Sequence, residues 1–562
     1  MITLGIKPFG HDTGAAVVVD GKIVAATSEE RFNREKHSRK FPYNAIKFCL
    51  EQAGIDNINQ IDEISIGFDY LRLIFHLDVV GFFKYFPDYT TESLVNGVYQ
   101  IKKVFGTKRI LRNEMGYKGP IKFLDHHDCH AAVAYYPSGF KETAILTVDG
   151  RGELACTRIY QVEDNSFKKM FQLNYPNSLG AFYSCITEYL GFKDNEDEGK
   201  VMGLAAYGKN LLVRKMRKVL IVENGSYRLK YKYFDFPRFP DRNVSSEFVR
   251  LFGPPRKKGE EITQRHKDVA KASQVIFEEA MVELAKHARN ITGEKNLCLT
   301  GGVALNSVAN GVIVRRNIFD NVYIYPAAGD DGICIGAALH SYYSRDNKRL
   351  YLKNNQSPYL GYSSGNKEIL EAIKKYKLSY RMSKDICKDV AVLLTKNKCV
   401  GWFQGRAEFG PRALGNRSII VDPRNVKNKD LVNSKIKFRE AFRPFAPTVL
   451  QEYCEKYFET NCVESPYMIL AFDVRGDKRT IIPAVTHVDG TARVQTVNKK
   501  QNLKYWSLIN EFYMLTGVPV VLNTSFNRMG EPIVNKPKEA IDCFLGSGLD
   551  ALALGDYLIV KE

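Results

Sequence analysis

A chain of 562 residues, 44% apolar and 26% charged, has the composition of a soluble globular protein and is too long for one hydrophobic core, so two to four domains are expected. Its 81 basic and 63 acidic residues give a formal net charge of +18, but the basic residues are scattered, which favours a solvated surface or a small anionic substrate over nucleic acid. Eleven cysteines without a C-x-x-C pair exclude a zinc ribbon, and no secretory signal or membrane-spanning run is found, so a cytoplasmic protein without a membrane partner is expected.

The first apolar runs, residues 2–6, 15–19 and 22–26, predict a small sheet whose first loop carries His11 and Asp12. Asp12 precedes a glycine-bearing turn, where the backbone can approach an anion closely. Taken alone, this loop is better explained as an ordinary turn.

A second strand-loop-strand unit follows the same scheme. Residues 144–148 predict a strand, Asp149 to Gly152 the loop, and residues 154–162 the returning strand. Two such units, each with an aspartate in a glycine-bearing loop, are how the actin-like ATPase fold holds phosphates and a metal.

Helical periodicity or strand composition predicts several further elements. Helices are expected at 43–54, 178–190, 267–292 and 333–341, and strands at 61–68, 296–300 and 322–325. Residues 71–118 are predicted to form a helical insertion and residues 209–262 a basic peripheral excursion, with no role assigned to either.

Two histidines and two aspartates form a candidate metal site. If a helix begins at His126, His130 lies one turn later on the same face. Asp149 and Asp330 are both placed at the ends of elements. Imidazole and carboxylate ligands suit zinc, iron or manganese better than calcium or magnesium. The alternative is a helix start in which His127 and Asp128 face water and His130 packs in the core without a metal.

Glycine-rich stretches suggest a nucleotide site. A predicted buried strand opens on Gly301, Gly302 and Asn306 before a helix, and such a junction suits an anion. Glu198 and Lys200, in an acidic stretch that runs into glycines, can bracket a polar ligand. A packing-only turn and a solvated acidic turn remain the respective alternatives.

The polar stretch 344–358 marks a linker, and a second domain follows with strands at 399–403 and 520–525. Its Arg412 and Arg443 lie among Gly, Pro and Phe rather than among solvated polar residues. Arginine forks bind phosphate oxygens in pairs, and the side chains at the end of the strand at 520–525 donate neutral hydrogen bonds. This predicts an oxyanion pocket, with a basic surface as the alternative.

Seven motifs occur in order along the chain. They are Gly10-His-Asp-Thr-Gly-Ala-Ala, His126-His-Asp-Cys-His, Lys200-Val-Met-Gly-Leu-Ala-Ala-Tyr-Gly, Gly301-Gly-Val-Ala-Leu-Asn, Gly329-Asp-Asp-Gly, Glu408-Phe-Gly-Pro-Arg-Ala-Leu-Gly-Asn-Arg-Ser and Leu522-Asn-Thr-Ser-Phe-Asn. Together, over nearly the whole chain, they resemble the antibiotic and nodulation-factor O-carbamoyltransferases, the family of the tobramycin, geldanamycin and cephamycin enzymes.

The resemblance implies a mixed α/β chain of two fused domains. Residues 1–347 would form an actin-like transfer domain similar to tRNA threonylcarbamoyltransferase, residues 348–358 a linker, and residues 359–562 an α+β domain similar to threonylcarbamoyl-adenylate synthase. The second domain would make carbamoyl adenylate from carbamoyl phosphate and ATP. The first would transfer the carbamoyl group to a hydroxyl of a small-molecule natural product or sugar.

The same resemblance implies roles for individual residues. His11 would be the general base, and His126, His130, Asp149 and Asp330 would hold a divalent metal, iron first, with zinc, manganese or magnesium as alternatives. Carbamoyl phosphate would bind to Arg412, Lys437, Arg443, Arg493, Asn523 and Ser525. ATP would bind to Gly301, Gly302 and Asn306, with Glu198 and Lys200. The partners expected are carbamoyl phosphate and a hydroxylated acceptor; the oligomeric state stays open, a homodimer included.

Three rival interpretations are compatible with parts of this pattern. A tRNA-modifying threonylcarbamoyl enzyme would explain the shared folds and the positive charge, and it predicts salt-sensitive tRNA binding. A non-catalytic actin-like binding protein predicts no ATP-dependent turnover. A hydrogenase-maturation carbamoyltransferase would share both domains, but its cysteine pairs are missing here.

Overall fold

The computed structural model describes residues 1–69, 105–236, 243–345, 356–461 and 463–561. Residues 71–104 of the predicted insertion and 348–355 of the predicted linker lie outside this part of the chain. The described residues form two compact units. Unit 1 comprises Met1–Glu29 and His37–Gln356, and unit 2 comprises Glu30–Lys36 and Ser357–Glu562.

Unit 1 begins with a five-stranded sheet. Its strands are β1 Ile2–Lys7, β2 Gly14–Val19, β3 Lys22–Ser28, β4 Glu63–Ile66 and β5 Ile121–Phe123. Their order is β3-β2-β1-β4-β5, with antiparallel pairing from β1 to β3 and parallel pairing from β1 to β5. The predicted strands near 2–6, 15–19, 22–26 and 61–68 are therefore present.

A second five-stranded sheet repeats this topology. The next strands along the chain are β6 Thr143–Val148, β7 Ala155–Glu163, β8 Ser166–Asn174, β9 Leu220–Glu223, β10 Ser226–Leu229, β11 Asn296–Thr300 and β12 Asn321–Tyr323. The sheet order is β12-β11-β6-β7-β8, with an antiparallel meander on one side of β6 and parallel strands on the other, while β9 and β10 form a separate hairpin. The predicted duplication of the strand-loop-strand unit is visible in this order.

The helices of unit 1 cover and connect these sheets. They are Tyr43–Gln52, His126–Ser138, Leu179–Tyr189, Glu198–Ala205, Val213–Met216, Ser246–Phe252, Gln264–Thr292, Ser307–Arg315 and Ile333–Arg345. The last of these lies against β1 and against helix His126–Ser138. Glycines permit this approach, because a Cβ at Gly5 or Gly336 would collide with a carbonyl oxygen of the facing element. The close packing brings the start of the last helix beside His126.

Unit 2 is built on a ten-stranded mixed sheet. Its strands are β13 Arg381–Met382, β14 Val400–Phe403, β15 Arg417–Val421, β16 Ala446–Leu450, β17 Phe458–Glu459, β18 Leu470–Val474, β19 Thr491–Val497, β20 Val520–Ser525, β21 Ala551–Leu554 and β22 Tyr557–Val560. Their order is β13-β22-β21-β14-β15-β20-β16-β19-β18-β17. The helices are Glu30–Asn33, Asn366–Lys375, Ile386–Thr395, Lys427–Val432, Cys454–Tyr457, Leu503–Thr516 and Pro537–Leu545.

The loop before β15 is locked into the core of unit 2. Trp402 is fully buried and donates its Nε1–H to the carbonyl of Gly415 at 2.9 Å. Gly415 has φ +104° and packs on the ring of Tyr505, so a side chain at this position is excluded by both conformation and space. Among the described residues, no helix is long and apolar enough to cross a membrane.

Candidate functional site

Four side chains predicted to hold a metal converge in unit 1. Nε2 of His126 lies 3.0 Å from Oδ2 of Asp149, 3.5 Å from Oδ1 of Asp330 and 3.1 Å from Nε2 of His130. Nε2 of His130 lies 3.6 and 3.7 Å from the same two oxygens. The four ligand atoms all lie within 4.8 Å of one another, and three of the residues are buried. We call these residues the His-Asp cluster.

Local structure explains why the imidazoles share a face. Asp125 caps the helix by accepting hydrogen bonds from the amides of His127 and Asp128, so the helix begins at His126. Between the two cluster histidines, the fully buried His127 donates Nε2–H to the carbonyl of Ala155 and accepts from Thr147 at Nδ1. His127 thus ties the helix to the second sheet, whereas the sequence alternative placed it in water.

A charged network supports the same helix end. Arg158 binds both carboxylate oxygens of Asp125, at 2.6 and 2.9 Å, and also approaches Asp128 at 3.2 Å. Tyr160 donates to Asp128 at 2.6 Å. Bidentate arginine–carboxylate pairs fix orientation as well as distance.

The two aspartates reach the cluster from separate loops. Asp149 follows β6, and its Oδ1 accepts the amide N–H of Gly302 at 3.0 Å, which turns Oδ2 to the imidazoles. Asp330 opens the short turn before helix Ile333–Arg345. Its Oδ2 lies 2.6 Å from Nζ of Lys7, a buried cation at the end of β1 that the sequence did not single out.

The electrostatics keep both aspartates ionised. Burial and the charge of Asp330 oppose ionisation of Asp149, but hydrogen bonds to His126 and His130 hold its pKa well below the usual value. Burial likewise opposes ionisation of Asp330, while the charge of Lys7 and the imidazoles hold its pKa well below the usual value. Two ionised carboxylates beside two imidazole nitrogens suit a divalent cation.

His11 lies at the open side of the cluster. Its Nε2 is 3.8 Å from Oδ2 of Asp330, and its side chain is 36% exposed. Its Nδ1 lies 2.8 Å from Asp12, which accepts a second hydrogen bond from Nδ1 of His37 at 2.8 Å. Because a carboxylate only accepts, Nδ1 of His11 donates to Asp12, and Nε2 is the ring nitrogen on the side of Asp330.

The predicted nucleotide glycines border the same cluster. Gly301 has φ +95°, and a Cβ there would collide with the carbonyl of Val148. Gly302 already donates its amide to Asp149. Asn306 caps helix Ser307–Arg315 by accepting from the amide of Ala309 at 3.0 Å. These residues shape the loop, and the polar groups described for Gly302 and Asn306 already have protein partners.

Glu198 and Lys200 also have local partners. Glu198 begins helix Glu198–Ala205 and accepts from Ser184 at 3.0 Å and from the amide of Asn195 at 2.6 Å. Lys200 pairs with Asp197 at 3.0 Å. The stretch is an acidic turn followed by a helix that buries Val201, Leu204 and Ala205.

Unit 2 contains a concentration of cations, here called the cation cluster: Arg412, Lys437, Arg439, Arg443 and Arg493. Burial and then the charges of Arg412, Arg439 and Arg443 lower the pKa of Arg493 well below its usual value. Burial and then Arg443 lower the pKa of Arg439 to about 9. The charges of these side chains therefore oppose one another. Arg439 was not among the predicted pocket residues.

Two of these cations contact neutral groups. Among the described residues, Nζ of Lys437 is bound to neutral oxygens only, those of Ser525 and Asn527, and the Asn527 side chain lies at 2.6 Å. Arg493 contacts the sulfur of Met468 at 3.8 Å and makes no ion pair in the described part of the chain. Glu440, 3.9 Å from Arg443, is the acidic neighbour. Net positive charge on one buried and four partly buried side chains favours an anionic ligand.

The two predicted neutral donors differ in position. Ser525 lies beside Lys437, at 3.1 Å. Asn523 is buried in a network in which its Nδ2 donates to Gln495 at 2.9 Å, with Thr448 at 3.2 Å. Its Oδ1 has no hydrogen-bond partner among the residues that the structure describes. Ser525 thus contacts the cation cluster through Lys437, whereas the hydrogen bonds of the Asn523 side chain are with buried residues of unit 2.

Unit 1 of this α/β protein contains clustered metal-type ligands, and unit 2 contains clustered cations. Both features are typical of enzymes that bind anionic substrates. Two family models match the chain, "Carbamoyltransferase N-terminus" over residues 2–339 and "Carbamoyltransferase C-terminus" over residues 391–561. The chain belongs to the carbamoyltransferase family and is a carbamoyltransferase enzyme.

Relatives match over nearly the full length. The uncharacterized protein sll1178 of Synechocystis sp. is 39% identical over 99% of this chain and 96% of its own. Nodulation protein NolNO of Sinorhizobium fredii is 37% identical over 99% of this chain and 79% of its own. Among solved structures, full-length HypF in its phosphate- and nucleotide-bound form is 14% identical over 61% of this chain and 56% of its own, with a TM-score of 0.32.

Proposed function

We propose that this enzyme is an ATP- and carbamoyl phosphate-dependent O-carbamoyltransferase. Carbamoyl phosphate and water first give carbamate and inorganic phosphate, and a carbamate oxygen then attacks the α-phosphorus of ATP, which forms carbamoyl adenylate and releases pyrophosphate. The carbamoyl group is then transferred to a hydroxyl of a small-molecule natural product or sugar. We also propose that unit 1 has a fold similar to tRNA threonylcarbamoyltransferase and that unit 2 has a fold similar to threonylcarbamoyl-adenylate synthase. The observation that carries it, within a carbamoyltransferase family, is the cation cluster, in which the described contacts of buried Lys437 are with the neutral oxygens of Ser525 and Asn527.

The cation cluster suits carbamoyl phosphate. The phosphate of this substrate carries two negative charges and three oxygens, which guanidinium forks bind in pairs and Lys437 binds as a point charge. Arg412, Arg443 and Arg493 are assigned to it, with Lys437 and Ser525 at the end of β20. Arg439 joins this set because its charge acts on both Lys437 and Arg493.

The His-Asp cluster fits a divalent metal by its donor set. Two Nε2 atoms and two carboxylate oxygens face one point, and both aspartates are ionised. Iron is proposed first, with zinc or manganese as alternatives that accept the same donors and magnesium as a poorer match. When bound there, such a metal supplies positive charge that polarises a phosphate or carbonyl oxygen.

His11 is proposed to take the acceptor proton. As the acceptor oxygen bonds to the carbamoyl carbon, the bond from that carbon to the AMP oxygen breaks, and the hydroxyl proton goes to Nε2 of His11. Asp12 holds the opposite ring nitrogen and stabilises the imidazolium that forms. AMP leaves with the electron pair of the broken bond.

ATP is proposed to bind beside the glycine loop. The loop next to the His-Asp cluster joins a strand end to a helix start and contains Gly301, Gly302 and Asn306. The polar groups described for these residues already have protein partners, so their proposed role is to set the backbone conformation of the loop. Glu198 and Lys200 are proposed only for the rim of this site, since both are paired locally.

A reconstitution tests the function. The purified chain is incubated with ATP, carbamoyl phosphate, a divalent metal and a panel of hydroxylated acceptors, and mass spectrometry follows carbamoyl addition while pyrophosphate release is measured separately. We expect pyrophosphate release that depends on carbamoyl phosphate, and an O-carbamoyl product with at least one acceptor class. Absence of both, or pyrophosphate release that requires tRNA and threonine, contradicts the proposal.

A further inference from the structure

A seven-residue segment from the N-terminal part of the chain packs within unit 2. Residues Glu30–Lys36, here called the strap, belong to unit 2 although their chain neighbours on both sides belong to unit 1. The strap consists of a one-turn helix, Glu30–Asn33, and the residues that follow it. Its two arginines contact loops of unit 2 that lie almost 400 and 500 positions further along the chain.

Arg34 binds the loop Phe526–Val534. Its Nη1 donates to the carbonyl of Ile533 and its Nη2 to that of Pro532, both at 2.8 Å, and Nη1 also lies 3.3 Å from Glu539. The fork therefore bridges two consecutive carbonyls. The backbone of Arg34 has φ +61°, a left-handed conformation that costs a non-glycine residue about 1–2 kcal/mol, so the surrounding contacts must hold it there.

The same loop supports Lys437 on its other side. The loop is closed by a hydrogen bond from the amide of Val534 to the carbonyl of Phe526 at 2.9 Å. Within it, Asn527 donates to the carbonyl of Glu531 at 2.6 Å and offers both its oxygens to Nζ of Lys437. A continuous chain of contacts thus runs from Arg34 through the loop to a lysine of the cation cluster.

Arg31 acts on the loop that carries Arg412. Its Nη2 donates to the carbonyl of Gly410 at 3.2 Å, and its side chain is buried. The loop is organised by buried Glu408, whose Oε1 accepts amides including that of Leu414 at 2.7 Å. The positive charge of Arg31 interacts electrostatically with Glu408, so it offsets the carboxylate on which the loop depends.

We infer that the strap is a positioning element for the anion site of unit 2, with Arg34 setting Lys437 and Arg31 setting Arg412. This inference rests on the proposed function, because it takes the cation cluster to be the carbamoyl phosphate site. The arginines are positioning residues and are not assigned contact with the substrate. Losing the charge-assisted hydrogen bonds by which the strap keeps Lys437 or Arg412 in position is expected to weaken anion binding by about tenfold or more.

The test uses the full-length chain with Arg34→Met, Arg34→Lys and Arg31→Met, and with Arg381→Met as the matched control. Arg381 is an arginine of unit 2 on edge strand β13, paired with Asp389 at 2.7 Å. Three quantities are measured: amide exchange across 526–534, the Kd for inorganic phosphate, and the KM values for carbamoyl phosphate and for ATP.

We expect Arg34→Met to speed amide exchange in 526–534, to raise the Kd for phosphate and the KM for carbamoyl phosphate about tenfold, and to leave the KM for ATP within about twofold. Arg34→Lys should fall between, because an ammonium group keeps the charge near Glu539 but lacks the fork. Arg31→Met should raise the same Kd and KM without faster exchange in 526–534. Arg381→Met should match the wild type.

Other results overturn the inference. Faster exchange with unchanged Kd and KM would make the strap a purely structural contact, and a parallel rise in both KM values would indicate general damage. If the wild type uses carbamoyl phosphate and the arginine variants match it, the function stands and the inference alone fails. A wild type that neither binds phosphate nor uses carbamoyl phosphate removes both.

Discussion

Nζ of Lys7 lies 2.6 Å from Oδ2 of Asp330, so a buried cation from the first strand holds one oxygen of the carboxylate whose other oxygen faces His126. The pair makes the His-Asp cluster asymmetric: Asp149 is oriented by a backbone amide, and Asp330 by a full positive charge. This difference makes the two aspartates distinguishable by mutation.

Lys7→Met should destabilise the metal-free protein and leave the metal-loaded protein nearly unaffected. Breaking a buried ion pair by removing one partner costs about 3 kcal/mol, since an uncompensated charge remains. A bound divalent cation would replace the lost positive charge beside Asp330. The free energy of unfolding is measured in urea with a chelator and with added metal, and Lys22→Met, at an exposed position of β3, is the control. An equal loss under both conditions contradicts the prediction.

His11→Ala should separate the two half-reactions. Pyrophosphate release is expected to persist, while product formation falls by about a hundredfold to ten-thousandfold, the range for a lost general base. Asp12→Asn should show a smaller loss of the same kind, because the imidazole remains but loses its carboxylate partner. His287→Ala, a histidine of helix Gln264–Thr292, serves as the control. Equal loss of pyrophosphate release and product would remove His11 from this role.

Arg493→Met should abolish carbamoyl phosphate use without destabilising unit 2. Its guanidinium is repelled by neighbouring arginines, so its removal relieves unfavourable interactions while deleting an anion ligand. The Tm of the variant should equal or exceed that of the wild type, and inorganic phosphate should raise the Tm of the wild type but not of the variant. Arg443→Ala should likewise lose carbamoyl phosphate use. Lys500→Met is the exposed control, and normal turnover by Arg493→Met would place the anion site elsewhere.

His487 should make unit 2 sensitive to acid. Burial lowers the pKa of His487 to about 4, and the charge of Arg493 acts in the same direction. The unfolded chain therefore binds this proton more readily than the folded chain, so the stability contribution is complete above pH 6.5 and is lost as pH falls towards 4. The difference in unfolding free energy between the wild type and His487→Asn should shrink over that interval. A difference that is constant or grows on acidification would exclude this linkage.

Periodicity and strand ends were enough to anticipate most of the site in unit 1. The four-residue spacing of His126 and His130 places them on one helical face, and Asp149 follows a buried strand whose position its apolar residues define. The duplicated strand order was anticipated for the same reason, since each copy has its own hairpin and loop. These features depend on residues close together in the chain.

The roles of residues that depend on contacts distant in the chain could not be predicted from the sequence. Lys7 is an ordinary lysine at a strand end until the fold brings Asp330 to it, and Arg439 stands in a basic stretch without a distinguishing neighbour. The glycine loop shows the converse: its motif indicated an open cradle, but the fold uses the amide of Gly302 to orient Asp149. Local pattern cannot reveal which donors tertiary contacts will occupy.

The strap also bears on how this chain can be inherited. A gene split at the obvious joint after Gln356 would leave the downstream polypeptide without seven residues that complete its own packing. A lineage that separated the two units would need to duplicate that segment or replace it. The interleaving thus favours keeping both units in a single reading frame.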